Sequence, residues 1–457
     1  MEGVLKLSIR NPTTLGGALA LVLAAMLLST SCAHASKHGA VLVKDIRPGH
    51  SGSILGPNGG GDVTPQLANN YSGVLYLAAD DGRHGRELWL SDGNRKRTYM
   101  VRDINPGPGG SLFGIIPSSS GSPFYFFPDD GVHGAELWRS NGSAAGTTLV
   151  KDLFPGPASS LSTGGVGLDL INLRGTLYFS YAGFPNPQNQ GLYRSDGTDA
   201  GTTLVKQIIG VRALTSFNGM LYFGGAGDDP TFKIGLWRSD GTTTGTTNVK
   251  EGVVPSEIVN ATGTMYIDDG YRDLWRSDGT SAGTAMVKDI TPSGAIQDLT
   301  AVGGAVYFLA SSGCCNKPDE LWRSDGTEAG TTIVQHLDVE PGYGFDLTAF
   351  RGKLYFTAGG WLWRSNGTPR GTTIVKGNCK PKAGARARCF SGLTATGDDA
   401  LYLVGSDQKF GAELWRSNGT RKGTKIVTDI RRGRDSSLPM YLTAINHTLF
   451  FAAKDGK

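Results

Sequence analysis

Short apolar runs separated by glycine-bearing turns follow one another along most of the chain. In one representative unit the runs are 347–350, 353–357, 361–365 and 372–376. Asn366-Gly367 separates the third and fourth runs, and Asn-Gly between β-rich segments is a strong hairpin signal because type I′ turns need positive φ at both central residues. The pattern predicts four short antiparallel strands per unit.

One aromatic position marks the third strand of each unit. It recurs about every 47 residues, within the roughly 20–50 residues typical of repeat architectures. The eight positions are Trp89, Trp138, Tyr193, Trp237, Trp275, Trp322, Trp363 and Trp415. Leu137 and Trp138 are adjacent, so they point to opposite faces of a strand. A sheet buried on both faces fits blades packed around an axis. We predict an all-β fold, a β-propeller of about eight full four-stranded blades.

The two chain ends carry fragments of a further unit. Residues 41–46 resemble a fourth strand with no unit before it, and residues 441–444 and 449–452 resemble first and second strands with nothing after them. These fragments predict a partial closing blade, formed by both ends, that lacks the tryptophan-bearing third strand. Alternatively the sequence is incomplete after Lys457, and the choice between eight and nine blades stays open.

The N-terminus has the features of an export signal. Lys6 and Arg10 give a positive start, an apolar run covers residues 15–28, and Ala33-His34-Ala35 fits a small-residue cleavage site. We predict a signal peptide over residues 1–35 and a mature propeller over residues 36–457. The apolar run is shorter than the roughly 20 residues of a membrane-spanning helix, and no later segment is apolar enough to cross a bilayer.

Cys32 gives an alternative to plain secretion. It follows Ser29-Thr30-Ser31, so lipid attachment there would make the protein a cell-envelope lipoprotein. The preferred localisation is secreted and extracellular.

The other four cysteines lie in two irregular segments. Cys379 and Cys389 bracket a basic insertion, and an oxidising compartment favours a disulfide between them. Cys314 and Cys315 are adjacent and form either a vicinal disulfide or two thiols. The net charge of +4 is small for 457 residues, and no basic face is evident, so nothing indicates a nucleic-acid partner.

The repeated octapeptide carries a family resemblance. Glu-Leu-Trp-Arg-Ser-Asp-Gly-Thr at 320–327 is similar to the signature of the ELWxxDGT repeat proteins, a mostly bacterial group of exported proteins, some of them labelled hyalin-like. The resemblance covers nearly all of the mature chain and includes the Leu-Tyr-Phe run before the motif and the Gly-Thr-x-x-Val-Lys run after it. The family is defined by its repeat, so the resemblance implies export and repetition but no catalytic residues.

The turn after each third strand is interpreted as structural. Aspartate and asparagine alternate there, so a carboxylate is not required, and both residue types suit left-handed turns. The eight residues are Asp92, Asn141, Asp196, Asp240, Asp278, Asp325, Asn366 and Asn418. The valine-lysine pairs of the fourth strands are interpreted as edge protection, because lysine opposes pairing between exposed strand edges.

Two acidic loops precede third strands and are the candidate metal sites. The first contains Asp80, Asp81 and Glu87, and the second repeats the pattern with Asp129, Asp130 and Glu136. Ca²⁺ takes six to eight oxygen ligands, so such loops could hold it. The spacing is not that of an EF-hand, and the preferred interpretation is a tight acidic turn with no metal and no cofactor.

Insertions that break the repeat are the candidate binding residues. Loops between second and third strands emerge at the same end of a four-stranded meander as the connections between blades. We therefore expect one recognition face. Its tentative binding residues are Phe184, Cys314, Cys315, Lys380, Lys382, Arg386 and Arg388.

Two function classes remain. The preferred one is a secreted, non-enzymatic propeller that serves as a binding, adhesion or scaffold module for an extracellular surface protein or a polysaccharide. The alternative is a propeller enzyme, a hydrolase or lyase acting on an extracellular polymer from a site in the channel. First strands with clustered unique charges would favour the enzyme, and 214–217 and 299–302 contain none.

Overall fold

The fold consists almost entirely of short antiparallel strands joined in the order of the chain. The computed structural model describes residues 2–8, 40–46, 68–69, 73–111, 123–157, 169–181, 189–227, 233–290, 296–310, 320–337, 346–377, 390–407 and 409–454. In this part of the chain the strands form nine blades, and no helix has the length and apolarity of a membrane span. One 3₁₀ helix, Arg95–Arg97, occurs in blade 1.

In blades 1 to 8 the strands follow one another in sequence order. Blade 1 contains Ala68–Asn69, Leu75–Asp80, Arg86–Ser91 and Thr98–Arg102. The described strands of blade 2 are Phe124–Phe126, Leu137–Ser140 and Thr148–Lys151. Blades 3 and 4 form one sheet of Leu170–Leu173, Thr176–Tyr181, Gly191–Ser195, Thr203–Phe217, Met220–Gly227, Ile234–Ser239 and Thr247–Glu251. The long strand Thr203–Phe217 is both the fourth strand of blade 3 and the first strand of blade 4.

The next four blades repeat the arrangement as separate four-stranded sheets. Blade 5 contains Glu257–Ala261, Thr264–Asp268, Asp273–Ser277 and Ala285–Asp289. Blade 6 contains Gln297–Val302, Ala305–Ala310, Glu320–Ser324 and Thr332–His336. Blade 7 contains Asp346–Phe350, Lys353–Ala358, Trp361–Ser365 and Thr373–Lys376. Blade 8 contains Phe390–Thr396, Ala400–Asp407, Gly411–Ser417 and Lys425–Ile426.

Blade 9 is made from both chain ends, as predicted, but it has four strands. Met440–Ile445 and Thr448–Lys454 are its first and second strands, and Val41–Lys44 is its fourth. Glu2–Ser8 occupies the third position, antiparallel to both neighbours. A tryptophan-bearing third strand is absent from the described part of blade 9, as predicted, but the blade is not partial. Glu2–Ser8 pairs with backbone groups that an empty position would leave unpaired along two strand edges.

The strand Glu2–Ser8 belongs to the segment assigned above to an export signal. The signal peptide over residues 1–35 and the boundary of the mature propeller at residue 36 stay predictions. Residues 9–39, including Cys32, lie outside the described part of the chain.

Nine buried apolar clusters among the described residues close the ring, because each cluster joins two consecutive blades. In blade 6, Trp322 packs toward blade 5 and Leu321 packs toward blade 7. The predicted division of Leu and Trp between opposite faces is thereby confirmed. The last cluster joins Phe450 of blade 9 to Leu77 of blade 1. Burying each such side chain contributes roughly 1.5–3 kcal/mol.

A bulge at the same third-strand position in blades 1 to 7 and in blade 9 explains the valine-lysine pairs. Opposite third-strand Trp275 lies Met286, whereas Leu274 lies opposite Lys288, so Val287 is the extra residue and is buried. The lysine then extends to the next blade. Lys288 Nζ donates to the carbonyl of Thr331 at 3.0 Å, 5.8 Å from the centre of the Trp322 ring. These lysines connect blades, and the interpretation as edge protection is incomplete.

The turns after the third strands are held by hydroxyl pairs. Ser239 Oγ and Thr246 Oγ1 lie 2.7 Å apart, and Gly241 N–H donates to Ser239 Oγ. The Asp240 carboxylate accepts from the backbone N–H and hydroxyl of Thr242. In blade 8, Asn418 makes the same two bonds, which explains why aspartate and asparagine alternate at this position.

We expect the turn glycines to be required for two separable reasons. Gly326 has a φ of +88°, and an added Cβ would lie 2.7 Å from the Tyr266 hydroxyl, whereas Gly303 has a φ of +63° and open space. Positive φ costs an alanine about 1–2 kcal/mol, and overpacking adds about 1–3 kcal/mol. Gly326→Ala should therefore lower the melting temperature more than Gly303→Ala in thermal unfolding. Equal losses would contradict the packing part of the argument.

Candidate functional site

Two kinds of connection between strands share one end of the ring. Because each blade is a meander, the loops between second and third strands lie at the same end as the connections from fourth to first strands. We call this end the loop face. The predicted binding and disulfide residues of these connections all lie outside the described residues: Phe184, Cys314, Cys315, Cys379, Lys380, Lys382, Arg386, Arg388 and Cys389. Their roles stay predictions.

The acidic loop of blade 1 is closed by its own backbone. Asp80 Oδ1 accepts from Gly82 N–H at 2.6 Å, and Asp81 Oδ1 accepts from the amides of Arg83 and His84. Asp81 Oδ2 lies 2.8 Å from His84 Nδ1. Although partial burial opposes the effect, these bonds lower the pKa of Asp81. The hydrogen bond to Asp81 raises the pKa of His84.

The acidic loop of blade 2 repeats this geometry. Asp129 Oδ1 accepts from Gly131 N–H at 2.8 Å, and Asp130 Oδ1 accepts from the amides of Val132 and His133. His133 Nδ1 lies 2.7 Å from Asp130 Oδ2. The repetition in two consecutive blades indicates a turn type that the shared sequence pattern encodes.

Glu87 belongs to a different hydrogen-bond network. Its carboxylate is fully buried and accepts from Ser111 Oγ at 2.6 Å and from the amides of Ile104 and Asn105. Burial raises the pKa of Glu87 to about 7, against the opposing effect of these bonds. The side chain therefore fixes the connection that leaves the fourth strand of blade 1 at the loop face.

The glutamate at the same position of the motif binds the following interblade connection in other blades as well. Glu136 accepts from Leu153 N–H at 2.7 Å, and Glu413 accepts from the amide of Ile430 and from the amide and hydroxyl of Ser437. Both side chains are buried. The glutamate of the repeated motif thus anchors the connection between blades, which is an architectural task.

These networks bear on the predicted calcium sites. Asp80 and Asp81 bind their own turn while Glu87 binds the following connection, so the three residues serve two separate structures. Within the described ranges, no group of three or more His, Cys, Asp or Glu side chains is placed to hold a metal ion. Calcium binding by either loop stays a prediction without an assembled ligand group.

The sequence analysis missed a set of carboxylates at the starts of the first strands. The first strands of successive blades contact one another and are therefore innermost. Asp169 Oδ2 accepts from Leu214 N–H, and Glu257 Oε2 accepts from Leu299 N–H, both at 3.1 Å. Asp346 Oδ2 accepts from Gly392 N–H at 2.9 Å. In each case an acid on an odd-numbered blade binds the backbone of the next blade.

A detectable signal preceded those strands. The acid is the residue immediately before the first apolar position of the Leu-Thr-x-x run, as in Asp346-Leu347. Burial raises the pKa of Asp169 and of Glu257. Burial, together with Asp269 and Glu257 nearby, raises the pKa of Asp268 to about 6. The loop-face end of the inner wall is therefore acidic.

A cavity of about 390 Å³ opens at this end of the inner wall, between the first strands of blades 7, 8 and 9. Its lining includes Asp346, Ser391, Thr394, Val404, Met440 and Tyr441. We call it the inner cavity. It combines one carboxylate with hydroxyl and apolar surface, which suits recognition of a polar chain segment.

Comparison with known proteins gives fold-level neighbours. No protein-family model and no curated protein sequence matches the chain. It is similar to BamB from Moraxella catarrhalis, with 12% identity over 67% of this chain and 83% of that chain and a TM-score of 0.41. The computationally designed Ika8 protein is 9% identical over 78% of this chain and 99% of that chain, with a TM-score of 0.42. A puromycin hydrolase is 14% identical over 81% of this chain and 54% of that chain, with a TM-score of 0.38.

At these identities and TM-scores the neighbours say nothing about what the chain binds or catalyses. Within its described ranges, the chain's own paired strands and its ring of interblade clusters make it a β-propeller.

The buried Glu87 should make stability depend on pH. Its pKa is raised from 4.5 to about 7, so its contribution is fully present below pH 4.5 and is lost as pH rises through about 7. We expect the free energy of unfolding of the wild type to fall by roughly 3 kcal/mol more than that of Glu87→Gln over this interval. Urea unfolding across the pH range measures the difference.

The control for this prediction is the exposed Glu251, paired with Lys233 at 3.0 Å. Glu251→Gln should retain the wild-type slope. Parallel pH profiles for the wild type and Glu87→Gln would show that the carboxylate titrates alike in the folded and unfolded chains.

Proposed function

We propose that the protein is an exported, non-enzymatic propeller that binds an extracellular surface protein or a polysaccharide at its loop face. The observation that carries the proposal is the inner cavity, which opens between the first strands of blades 7, 8 and 9 at the loop face. Pockets with a few convergent polar groups are the usual place for ligand recognition.

The use of the repeated polar residues supports a binding role over catalysis. The motif glutamates Glu87 and Glu413 hold interblade connections, and Asp240 holds its own turn. The inner-wall acid Asp346 is bonded to Gly392 and Thr357. Carboxylates bound to backbone amides and hydroxyls in this way act as structural anchors.

The proposed export rests on the N-terminal segment and on the resemblance to the ELWxxDGT repeat proteins. A mature chain starting at Ser36 corresponds to secretion, whereas a lipid-modified Cys32 corresponds to the cell-envelope alternative. Mass spectrometry of protein recovered from the medium and the envelope distinguishes these two forms.

The binding proposal is tested with a panel of extracellular polysaccharides and solubilised surface proteins, in Ca²⁺ and in EDTA. Met440→Trp should fill the inner cavity and weaken a saturable interaction by about tenfold or more, which corresponds to about 1.4 kcal/mol. Gln297→Trp is the matched control, because it occupies the corresponding first-strand position of blade 6 outside this cavity.

The outcomes separate the interpretations. If binding survives Met440→Trp but is lost when the irregular loops are replaced by Gly-Ser segments, the binding site lies in the loops and not in the inner cavity. Loss of binding in EDTA would support Ca²⁺ in the acidic loops. Turnover of any polymer in the panel would contradict the non-enzymatic proposal.

A further inference from the structure

Three of the four strands in blade 9 carry the residues of the repeat. In the fourth strand Val43 is buried, and Lys44 Nζ donates to the Thr98 carbonyl of blade 1 at 2.7 Å, 5.2 Å from the centre of the Trp89 ring. These are the contacts that Lys288 makes between blades 5 and 6. The second strand supplies Phe450 and Phe451 to the two flanking clusters.

Glu2–Ser8 copies only the backbone path of a third strand. Leu5 lies opposite Phe451 and Leu42, in the register that places Trp322 opposite Phe308 and Ile333. The bulge also falls at the corresponding step, after Val4 in blade 9 and after Leu321 in blade 6. The position between the second and fourth strands of blade 9 is therefore shaped for a third strand of the repeat type.

The sequence of this segment does not match the motif beyond that point. Counting on from Leu5, the motif serine is replaced by Leu7, the Asp or Asn by Ser8, and the glycine by Ile9. The motif serine makes the turn's hydroxyl pair, and the glycine has a φ near +90° in the other blades, as at Gly279. Isoleucine is poorly suited to such a conformation.

In other blades the turn glycine receives a tyrosine from the preceding blade. Tyr222 Oη donates to the Gly279 carbonyl at 3.3 Å. In blades 1 to 7 the hydroxyl of the second-strand tyrosine lies close to the turn glycine of the next blade, and in the pair Tyr222–Gly279 it makes the hydrogen bond. The seven pairs are Tyr76 with Gly142, Tyr125 with Gly197, Tyr178 with Gly241, Tyr222 with Gly279, Tyr266 with Gly326, Tyr307 with Gly367 and Tyr355 with Gly419.

For the eighth tyrosine, Tyr402, no turn glycine of the next blade lies nearby among the described residues. Tyr402 of blade 8 faces blade 9, its side chain is fully buried, and its hydroxyl makes no hydrogen bond. An unpaired buried hydroxyl is destabilising, because it has lost its hydrogen bonds to water and gained none in the protein. The Tyr402 hydroxyl is therefore positioned to donate to a turn of the repeat type, and the sequence of Glu2–Ser8 does not lead into such a turn.

We propose that the third-strand position of blade 9 is an acceptor site for an added strand and turn of the repeat's own type, supplied from outside the described residues. The donated sequence is an acid followed by Leu-Trp-Arg-Ser, then Asp or Asn, then Gly. Its strand pairs with Thr448–Lys454 and Val41–Lys44, and the carbonyl of its turn glycine accepts from Tyr402. Glu2–Ser8 leaves this position when the donor binds to the full chain, and cleavage after residue 35 during the proposed export would vacate the same position.

The test uses the full chain and a labelled peptide with the sequence of residues 320–330, Glu-Leu-Trp-Arg-Ser-Asp-Gly-Thr-Glu-Ala-Gly. Leu5→Pro removes a ladder donor from Glu2–Ser8 and should make the position easier to enter. We expect saturable binding, tighter to Leu5→Pro than to the wild type, and slower hydrogen exchange in residues 448–454 when the peptide is bound.

Two tyrosine variants separate the acceptor site from general stability. Tyr402→Phe should maintain or raise the melting temperature of the free protein, because it removes an unpaired hydroxyl, yet weaken peptide binding about two- to tenfold. Tyr222→Phe is the matched control. It loses a bond already made within the ring, so it should lower the melting temperature and leave peptide affinity unchanged.

A peptide with valine in place of the turn glycine should bind more weakly. The proposal is overturned if this peptide binds equally well, if Tyr402→Phe leaves affinity unchanged, or if a folded Leu5→Pro chain shows no saturable binding. If Leu5→Pro does not fold, hydrogen exchange of the wild type with excess peptide decides, and unchanged exchange in residues 448–454 overturns it. A dimer that forms without peptide and that excess peptide dissociates would support the proposal and identify a second copy as the donor of the strand.

Discussion

The structure depends on sheets that are apolar on both faces. Leu321 and Trp322 are neighbours in one strand and belong to different buried clusters, so blade 6 requires blade 5 on one side and blade 7 on the other. A blade with one face uncovered would expose a row of large side chains. The chain meets this requirement by closing a ring, and the last interface joins Phe450 near one chain end to Trp89 near the other.

Polar contacts fix the angle and spacing of the blades that the apolar faces bring together. Lysines such as Lys288 bind a carbonyl of the next blade, tyrosines such as Tyr222 bind the next turn, and acids such as Asp346 bind the next inner strand. These groups recur because the interface recurs. The residues that distinguish one blade from another, at the loop face and along the inner wall, are consequently the better candidates for recognition.

The number of strands per blade and the two-sided burial could be predicted because both are local patterns. Asn366-Gly367 marks a hairpin, and Leu-Trp alternation marks the two faces. The role of Lys288 could not be predicted, since its partner Thr331 belongs to the next unit and becomes adjacent only in the ring. The role of Asp346 could not be predicted either, because it accepts a hydrogen bond from Gly392 in the next blade.

The strand Glu2–Ser8 shows a different limit. Its apolar residues with Lys6 fit both a short strand and the start of an export signal, and the local sequence does not distinguish the two. Leu5 pairs with Phe451, which lies more than 400 residues away along the chain. A local sequence pattern does not reveal such a distant pairing.

Ring closure by the two chain ends is tested most directly by pulsed electron paramagnetic resonance across the seam. In a chain without its five native cysteines, spin labels at Leu42 and Met100 report on blades 9 and 1, and labels at Ile333 and Ile374 report on blades 6 and 7. Met100, Ile333 and Ile374 each lie opposite the tryptophan of their third strand. Leu42 lies opposite Leu5, the corresponding residue of blade 9. The closed ring predicts two narrow distance distributions with similar means. A broad or much longer distribution for Leu42 and Met100 alone would show that the ends do not close the ring.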